Sequence, residues 1–339
     1  MTAFAAVNRP IATLRTNGNR KRRAASWREV PLLFFGGKGG VGKTTCATAV
    51  ALQAAQSGRR TLLISTDPAH STADMLAVAS SPDEREIYPG LWLLEIDAET
   101  EANRYLAEVR STLAGRVKPD LRREVERQIQ LAKLSPGAQE AALFDRLAGV
   151  IAAAFETYDL LVVDTAPSGH TLRLLSLPEV LEAWLEGLIE QRRSVQRMNR
   201  LWRKMTVGGT ADQERDPVEL TLLRRRQKFK TMRDRIVDPQ HSAFMLVLTP
   251  ERLPILETEQ TRHLLSHYGV PIGGVIVNRV LPPEATEHEF FRQRSQQQAV
   301  YRAEIARRFR DLAILEVPLL ASDVTGPQEL ASIAAVLQE

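Results

Sequence analysis

The sequence holds a single cysteine, Cys46, among 339 residues. One thiol per chain excludes an intrachain disulfide and a cysteine-only zinc site within one protomer. No stretch approaches ~18 consecutive apolar residues, so a membrane-spanning helix is excluded. Acids are absent from the first 28 residues, which include the run Arg20-Lys21-Arg22-Arg23. Two readings of residues 1–29 stand, a disordered basic tail and an organelle transit peptide. No apolar core follows its charges, which speaks against a secretory signal.

Charge is unevenly divided. Residues 1–29 carry seven basic and one acidic side chains, a net of +6, and residues 191–240 carry fourteen and six, a net of +8. The rest of the chain has 24 basic against 34 acidic residues, a net of −10. Basic segments keep a nucleic-acid partner open on charge alone. No aromatic interleaving or reading motif accompanies them, and that weighs against it.

From Val30 onward, short runs rich in Val, Ile and Leu alternate with helical patterns. Strands are predicted at Val30–Phe35, Thr61–Ser65, Leu91–Ile96, Leu160–Asp164, Ala243–Leu248, Gly274–Val277 and Leu312–Val317. Continuous apolar runs of this length suit strands covered on both faces. The alternation predicts an α/β fold with a doubly wound, mostly parallel sheet. Two long helical intervals interrupt it, predicting an inserted all-helical subdomain. The expected division is 30–98, 156–176 and 241–339 for nucleotide binding, with 99–155 and 177–240 as the helical client or partner unit.

The strongest motif is Gly36-Gly37-Lys38-Gly39-Gly40-Val41-Gly42-Lys43-Thr44-Thr45, placed after an apolar strand and before a helix running to about Gln56. Gly37, four residues, then Gly42-Lys43-Thr44 is the spacing of a phosphate-binding loop. Its glycines let backbone N–H groups converge on phosphate, and the helix N-terminus adds positive partial charge. Lys43 is expected to reach the β and γ phosphates, and the Thr44 hydroxyl to ligate Mg²⁺. Lys38 is an additional lysine at a position that the general pattern leaves free.

Two later segments complete the candidate site. Asp67, in Ser65-Thr66-Asp67-Pro68-Ala69-His70, follows the second strand, at the end where ligands bind in such sheets. It either holds the attacking water and contributes to the metal site, or caps the next helix. Asp164 ends the apolar run Leu160–Asp164, as an acid that holds Mg²⁺ directly or through water does. Gly169 is a candidate hinge, and His70 and His170 are expected as hydrogen-bonding switch residues rather than metal ligands.

The two-lysine loop resembles the deviant Walker A motif of the signature-lysine ATPases. Together with Asp67-Pro68-Ala69-His70 and Asp164 through Leu175, it is similar to the family of the arsenite-pump ATPase ArsA and the targeting ATPase of the guided entry of tail-anchored proteins (GET) pathway. The resemblance continues through Thr249-Pro250-Glu251, Glu257-Thr258, Val277-Asn278-Arg279-Val280 and Glu316-Val317-Pro318-Leu319-Leu320. It implies a cytoplasmic, ATP-hydrolysing homodimer working at a membrane. Lys38 would act on the partner's nucleotide, as an arginine finger does. Glu251 would lie near the nucleotide at the dimer interface, Asn278 would read the adenine edge, and the loop from Pro318 would wall the base. Read by itself, Asn278 serves equally as a strand-end turn residue.

The pattern also departs from that family. Its arsenite pumps bind the metalloid with several cysteines and commonly join two ATPase halves in one chain, whereas this sequence has one cysteine and one half. Eukaryotic targeting members clip the dimer with a zinc-binding CxxC pair, and Pro282–Phe291 contains none. A single-half, zinc-free, bacterial-type member is therefore expected.

Three functions follow. The first is a carrier of a hydrophobic client, held by the helical stripe that includes Leu181, Trp184, Leu185 and Leu188, beside a basic rim. The second is a subunit energising an arsenite or anion channel. The third is a partition-like switch on membrane or DNA.

Overall fold

The computed structural model describes residues 26–67, 71–104, 107, 138–165, 217–284 and 289–338. In chain order the elements are β1 (Leu32–Gly36), α1 (Lys43–Gln56), β2 (Thr61–Ser65), α2 (Ser71–Met75), β3 (Arg85–Tyr88) and β4 (Leu91–Glu95). They continue with α3 (Ala138–Ala154), β5 (Leu160–Asp164), α4 (Pro217–Val237), β6 (Ser242–Leu248) and α5 (Arg252–His267). The last are β7 (Ile272–Val280), α6 (Glu289–Arg308), β8 (Ile314–Pro318) and α7 (Pro327–Gln338).

Among the described residues, eight strands form one sheet in the order β3-β4-β2-β5-β1-β6-β7-β8. Every neighbouring pair is parallel except β3 with β4. The doubly wound, mostly parallel α/β fold expected from the sequence is the fold that the chain adopts. All seven strands expected from apolar runs are present, with β2 and β5 at the expected limits. β3 was not expected, because Arg85-Glu86-Ile87-Tyr88 is a half-exposed antiparallel edge with no continuous apolar run.

Alternation within the strands feeds two separate cores. Leu32, Phe34, Leu161, Val163, Phe244 and Leu246 point to one face, where they meet Phe144, Leu147 and Ile151 of α3, Phe229 and Met232 of α4, and Ile255 of α5. Leu33, Phe35, Val162, Met245 and Val247 point to the other, against Ala47, Ala51 and Leu52 of α1 and Leu330 and Ile333 of α7. Each large apolar side chain so buried contributes about 1.5–3 kcal/mol. On the first face the Phe34 and Phe244 rings stack at 6.0 Å.

Helices α3 and α4 lie in the two long helical intervals, and the described parts of both return to the sheet. They also meet each other, through Phe144 and Phe229 at 5.3 Å between ring centroids and Lys228 and Asp145 at 3.1 Å. At the base of the sheet, Arg28 lies over the Trp27 ring at 4.7 Å and donates from Nη2 to the Leu337 carbonyl at 2.9 Å. The segment before β1 is thereby stitched to the last turn of α7.

Candidate functional site

Strand β1 is central, with β5 on one side and β6 on the other, and the order of connections reverses there. Its carboxyl end is the position at which ligands bind in open α/β sheets. The glycine-rich loop leaves β1 at this point and enters α1 at Lys43.

Two glycines of the loop are dictated by space. A Cβ on Gly37 would lie 2.1 Å from the Val247 carbonyl oxygen. One on Gly42, whose φ is 92°, would lie 2.1 Å from Asn278 Nδ2. Larger residues would push the loop off β6 and off Asn278. Lys43, which opens α1, is buried and its Nζ donates to the Lys38 carbonyl at 3.2 Å, spanning the loop. Burial lowers its pKa, opposed by the charges of Asp164 and Asp67.

Asp164 is 0% exposed at the end of β5. The Thr44 hydroxyl donates to its Oδ2 at 2.7 Å, while Oδ1 is buried without a hydrogen-bond partner among the described residues. Burial pushes the Asp164 carboxyl up to about 7, with the Thr44 hydrogen bond and Lys43 acting in the opposite sense. An orphaned carboxylate oxygen beside a hydroxyl, with Asp67 near enough to act electrostatically on both Asp164 and Lys43, is a donor set that fits a hard divalent cation. All three donors are oxygens, as Mg²⁺ prefers.

The neighbouring strand ends are fastened to each other. Thr66 donates from its backbone N and its hydroxyl to the Asp164 carbonyl at 3.0 and 3.2 Å. Thr165 Oγ1 donates to the Phe35 carbonyl at 2.6 Å. Asp67 lies directly after this clamp, and its backbone N reaches Ser65 Oγ at 3.4 Å.

Beside the loop opens a cleft of about 630 Å³. Lys38, Gly39, Gly40 and Val41 form one wall, while Glu251, Arg279, Phe290, Arg294 and Leu319 contribute to the others. Lys38 Nζ pairs with Glu257 Oε1 at 2.9 Å, and Arg294 Nη2 with Glu251 Oε1 at 2.6 Å. Asn278 is 7% exposed; its Nδ2 donates to the Val41 carbonyl at 2.9 Å and its Oδ1 accepts from Arg279 N at 2.9 Å. Pro318 ends β8 opposite Val280, and Leu319 N donates to the Val280 carbonyl at 2.8 Å.

Sequence candidates distant in the chain thus converge: Lys38 to Thr45, Asp67, Asp164, Glu251, Asn278 and Pro318 all lie along the carboxyl ends of the strands. His70, Gly169, His170 and the stripe residues Leu181, Trp184, Leu185 and Leu188 lie outside the described residues. Glu257 and Arg294 were missed as partners. Glu257 stood inside a quoted motif, but no local pattern reveals a salt bridge to a residue 219 positions away.

The sequence profile of the family described as anion-transporting ATPase matches residues 30–339. The chain belongs to that family. A protein of Aquifex aeolicus that carries the name of an arsenical pump-driving ATPase is 33% identical over 306 residues, covering 90% of this chain and 98% of that one. The ATPase GET3 of Malassezia globosa is 32% identical, covering 90% of each chain. An ATPase ASNA1 homolog of Paramecium tetraurelia is 30% identical, over 90% of this chain and 91% of the other. The family and these relatives make the protein an ATPase. Among the described residues, no helix of this ATPase is long and apolar enough to cross a membrane.

Proposed function

We propose that this ATPase is a homodimeric switch that uses ATP binding and hydrolysis to capture a hydrophobic, tail-anchored-type client and deliver it to a membrane. The observation that carries this reading over a metalloid pump is the state of the lone cysteine. Cys46 is fully buried behind the phosphate loop, where burial pushes its thiol up to about 12. Soft arsenite requires exposed thiolates, and this chain offers it none.

At the proposed site, the loop amides and Lys43 hold the β and γ phosphates, and Thr44, Asp67 and Asp164 hold Mg²⁺. The ion supplies neutralising charge to the phosphate oxygens when bound. Asp67 orients the attacking water. Asn278 retains one donor hydrogen and one lone pair beyond its contacts with Val41 and Arg279, the pair that an adenine edge accepts and donates to. Lys38 exchanges Glu257 for the partner's nucleotide when two protomers close, adding positive charge where negative charge builds up. Glu251 and Pro318 lie toward the interface and the base.

The proposed client surface is the stripe of Leu181, Trp184, Leu185 and Leu188 in the helical subdomain of residues 99–155 and 177–240, with switching through His70, Gly169 and His170. Its test is co-purification of an apolar tail segment with the ATP-bound protein, expected to be lost in Leu185→Asp and Leu188→Asp. Absence of binding in every nucleotide state overturns the carrier. ATPase stimulation by arsenite or another oxyanion would instead favour a channel-energising subunit, and DNA binding at near-physiological salt a partition-like switch.

A further inference from the structure

The end of β7 contains an unusual corner. Arg279 has φ 60°, in the left-handed region that a non-glycine residue adopts only when its surroundings hold it there. The pairing of β7 with β8 shifts register between Val277 and Val280, at the same place. This corner aims Asn278 at the phosphate loop.

Four backbone groups of the corner have identified partners. Arg279 N donates to Asn278 Oδ1 at 2.9 Å, and the Val280 carbonyl accepts from Leu319 N at 2.8 Å. The other two of the four are held by one side chain of α6. Gln298 Nε2 donates to the Arg279 carbonyl at 3.3 Å, and Gln298 Oε1 accepts from Leu281 N at 2.9 Å. Gln298 is 7% exposed, on a helix where Ile305 is the only other buried residue among the described side chains. A primary amide buried on so polar a helix, with both ends spent on a strained corner, has a specific task.

We infer that Gln298 is a positioning residue for ATP binding. It clamps the Arg279 corner, the corner orients Asn278, and Asn278 holds the Val41–Gly42 turn through the Val41 carbonyl. The Gly42 position completes the argument, since the space a Cβ would need there is filled by Asn278 Nδ2, 2.1 Å from it. Phosphate-loop geometry is therefore set partly from α6, whose Phe290 and Arg294 line the same cleft. The inference rests on the reading of Asn278 as a nucleotide-site residue.

The experiment measures KM and kcat for ATP and for GTP, with thermal melts, in the wild type, Gln298→Leu, Asn278→Ala and the double variant. Gln298→Leu is expected to raise KM for ATP about fivefold with kcat within about twofold, the signature of lost binding rather than lost chemistry. The double variant should be no worse than Asn278→Ala alone, because both changes break one chain of contacts. An unchanged KM in Gln298→Leu, or additive effects in the double variant, overturns the inference. If Asn278→Ala leaves the ATP-to-GTP preference unchanged, adenine reading is overturned, while the coupling of the two variants in KM still decides the clamp.

A merely structural role is separated by Gln298→Glu, which guards against misfolding of the leucine variant. An ionised carboxylate keeps an acceptor for Leu281 N but faces the Arg279 carbonyl without a donor. Its KM, relative to the wild type at each pH, should be raised at pH 8 and return toward unity as the introduced carboxyl gains a proton. A ratio flat with pH overturns the donor role of Gln298.

Discussion

The middle of the sheet and its β7–α6 side meet at one cleft but are built in different ways. Around β1 and β5 the site is buried. Asp164 is fully buried, Lys43 is nearly so, and the contacts are made by backbone, the hydroxyls of Thr44, Thr66 and Thr165, the Lys43 ammonium and the Asp164 carboxyl. Around α6 it is open: Phe290 is 65% exposed, and Arg294, Glu251 and Arg302 are held by half-exposed ion pairs. Electrostatic energies are large in the first setting and screened in the second. The region that handles phosphate is therefore expected to be intolerant of single changes, and the region facing outward tolerant.

The sharpest way to break this contrast is Asp67→Asn. Removing the carboxylate proposed to orient water should leave ATP binding intact while lowering kcat about a thousandfold or more, read from phosphate release beside fluorescent-nucleotide titration. Retained hydrolysis would remove Asp67 from the chemistry.

Next comes the pH dependence of stability in magnesium- and nucleotide-free buffer. The Asp164 carboxyl has its folded pKa raised to about 7 by burial, so the native chain holds a proton that the unfolded chain releases near pH 4. The stabilisation is complete below pH ~4 and is lost as pH rises through about 7, on the order of 2–4 kcal/mol in total. Melting temperature should therefore fall between pH 5 and 8 in the wild type. Asp164→Asn should flatten that part of the curve, and an equally steep fall in the variant would assign the effect to other groups.

Lys38 joins the two regions, since it leaves the phosphate loop and pairs with Glu257 on α5. Lys38→Ala should lower hydrolysis about tenfold and abolish ATP-dependent dimerisation in sedimentation. A normal ATP-dependent dimer in that variant would confine Lys38 to its own protomer. At the outer edge, Arg302 pairs through two hydrogen bonds with Glu316. Arg302→Ala should cost less than about 1 kcal/mol by denaturant titration, because the pair is solvated. A cost of several kcal/mol would erase the contrast between the two regions.

The same contrast explains what was legible in the sequence. The phosphate loop, β2 and β5 could be read because their requirements are local: glycines where a Cβ cannot fit, and unbroken apolar runs where both faces are covered. Asp67 and Asp164 followed from their places at strand ends. The edge strand β3 could not be read, since a half-exposed strand carries no apolar run. Gln298 stands in Gln296-Gln297-Gln298, where nothing local separates it from its neighbours. Its role exists only because Arg279 and Leu281, 19 and 17 positions away, fold against it.

The stitch between Arg28 and the Leu337 carbonyl has a practical corollary. Strand β1 runs from that stitch toward the phosphate loop, so a label attached at Ser26 lies at the opposite end of the strand from the nucleotide site, about 17 Å for five residues. A fluorophore at that position sits by the amino end of β1, on the side away from the cleft. Trp27, clasped there between the opening and closing segments, is placed as an intrinsic reporter of whether the two remain joined.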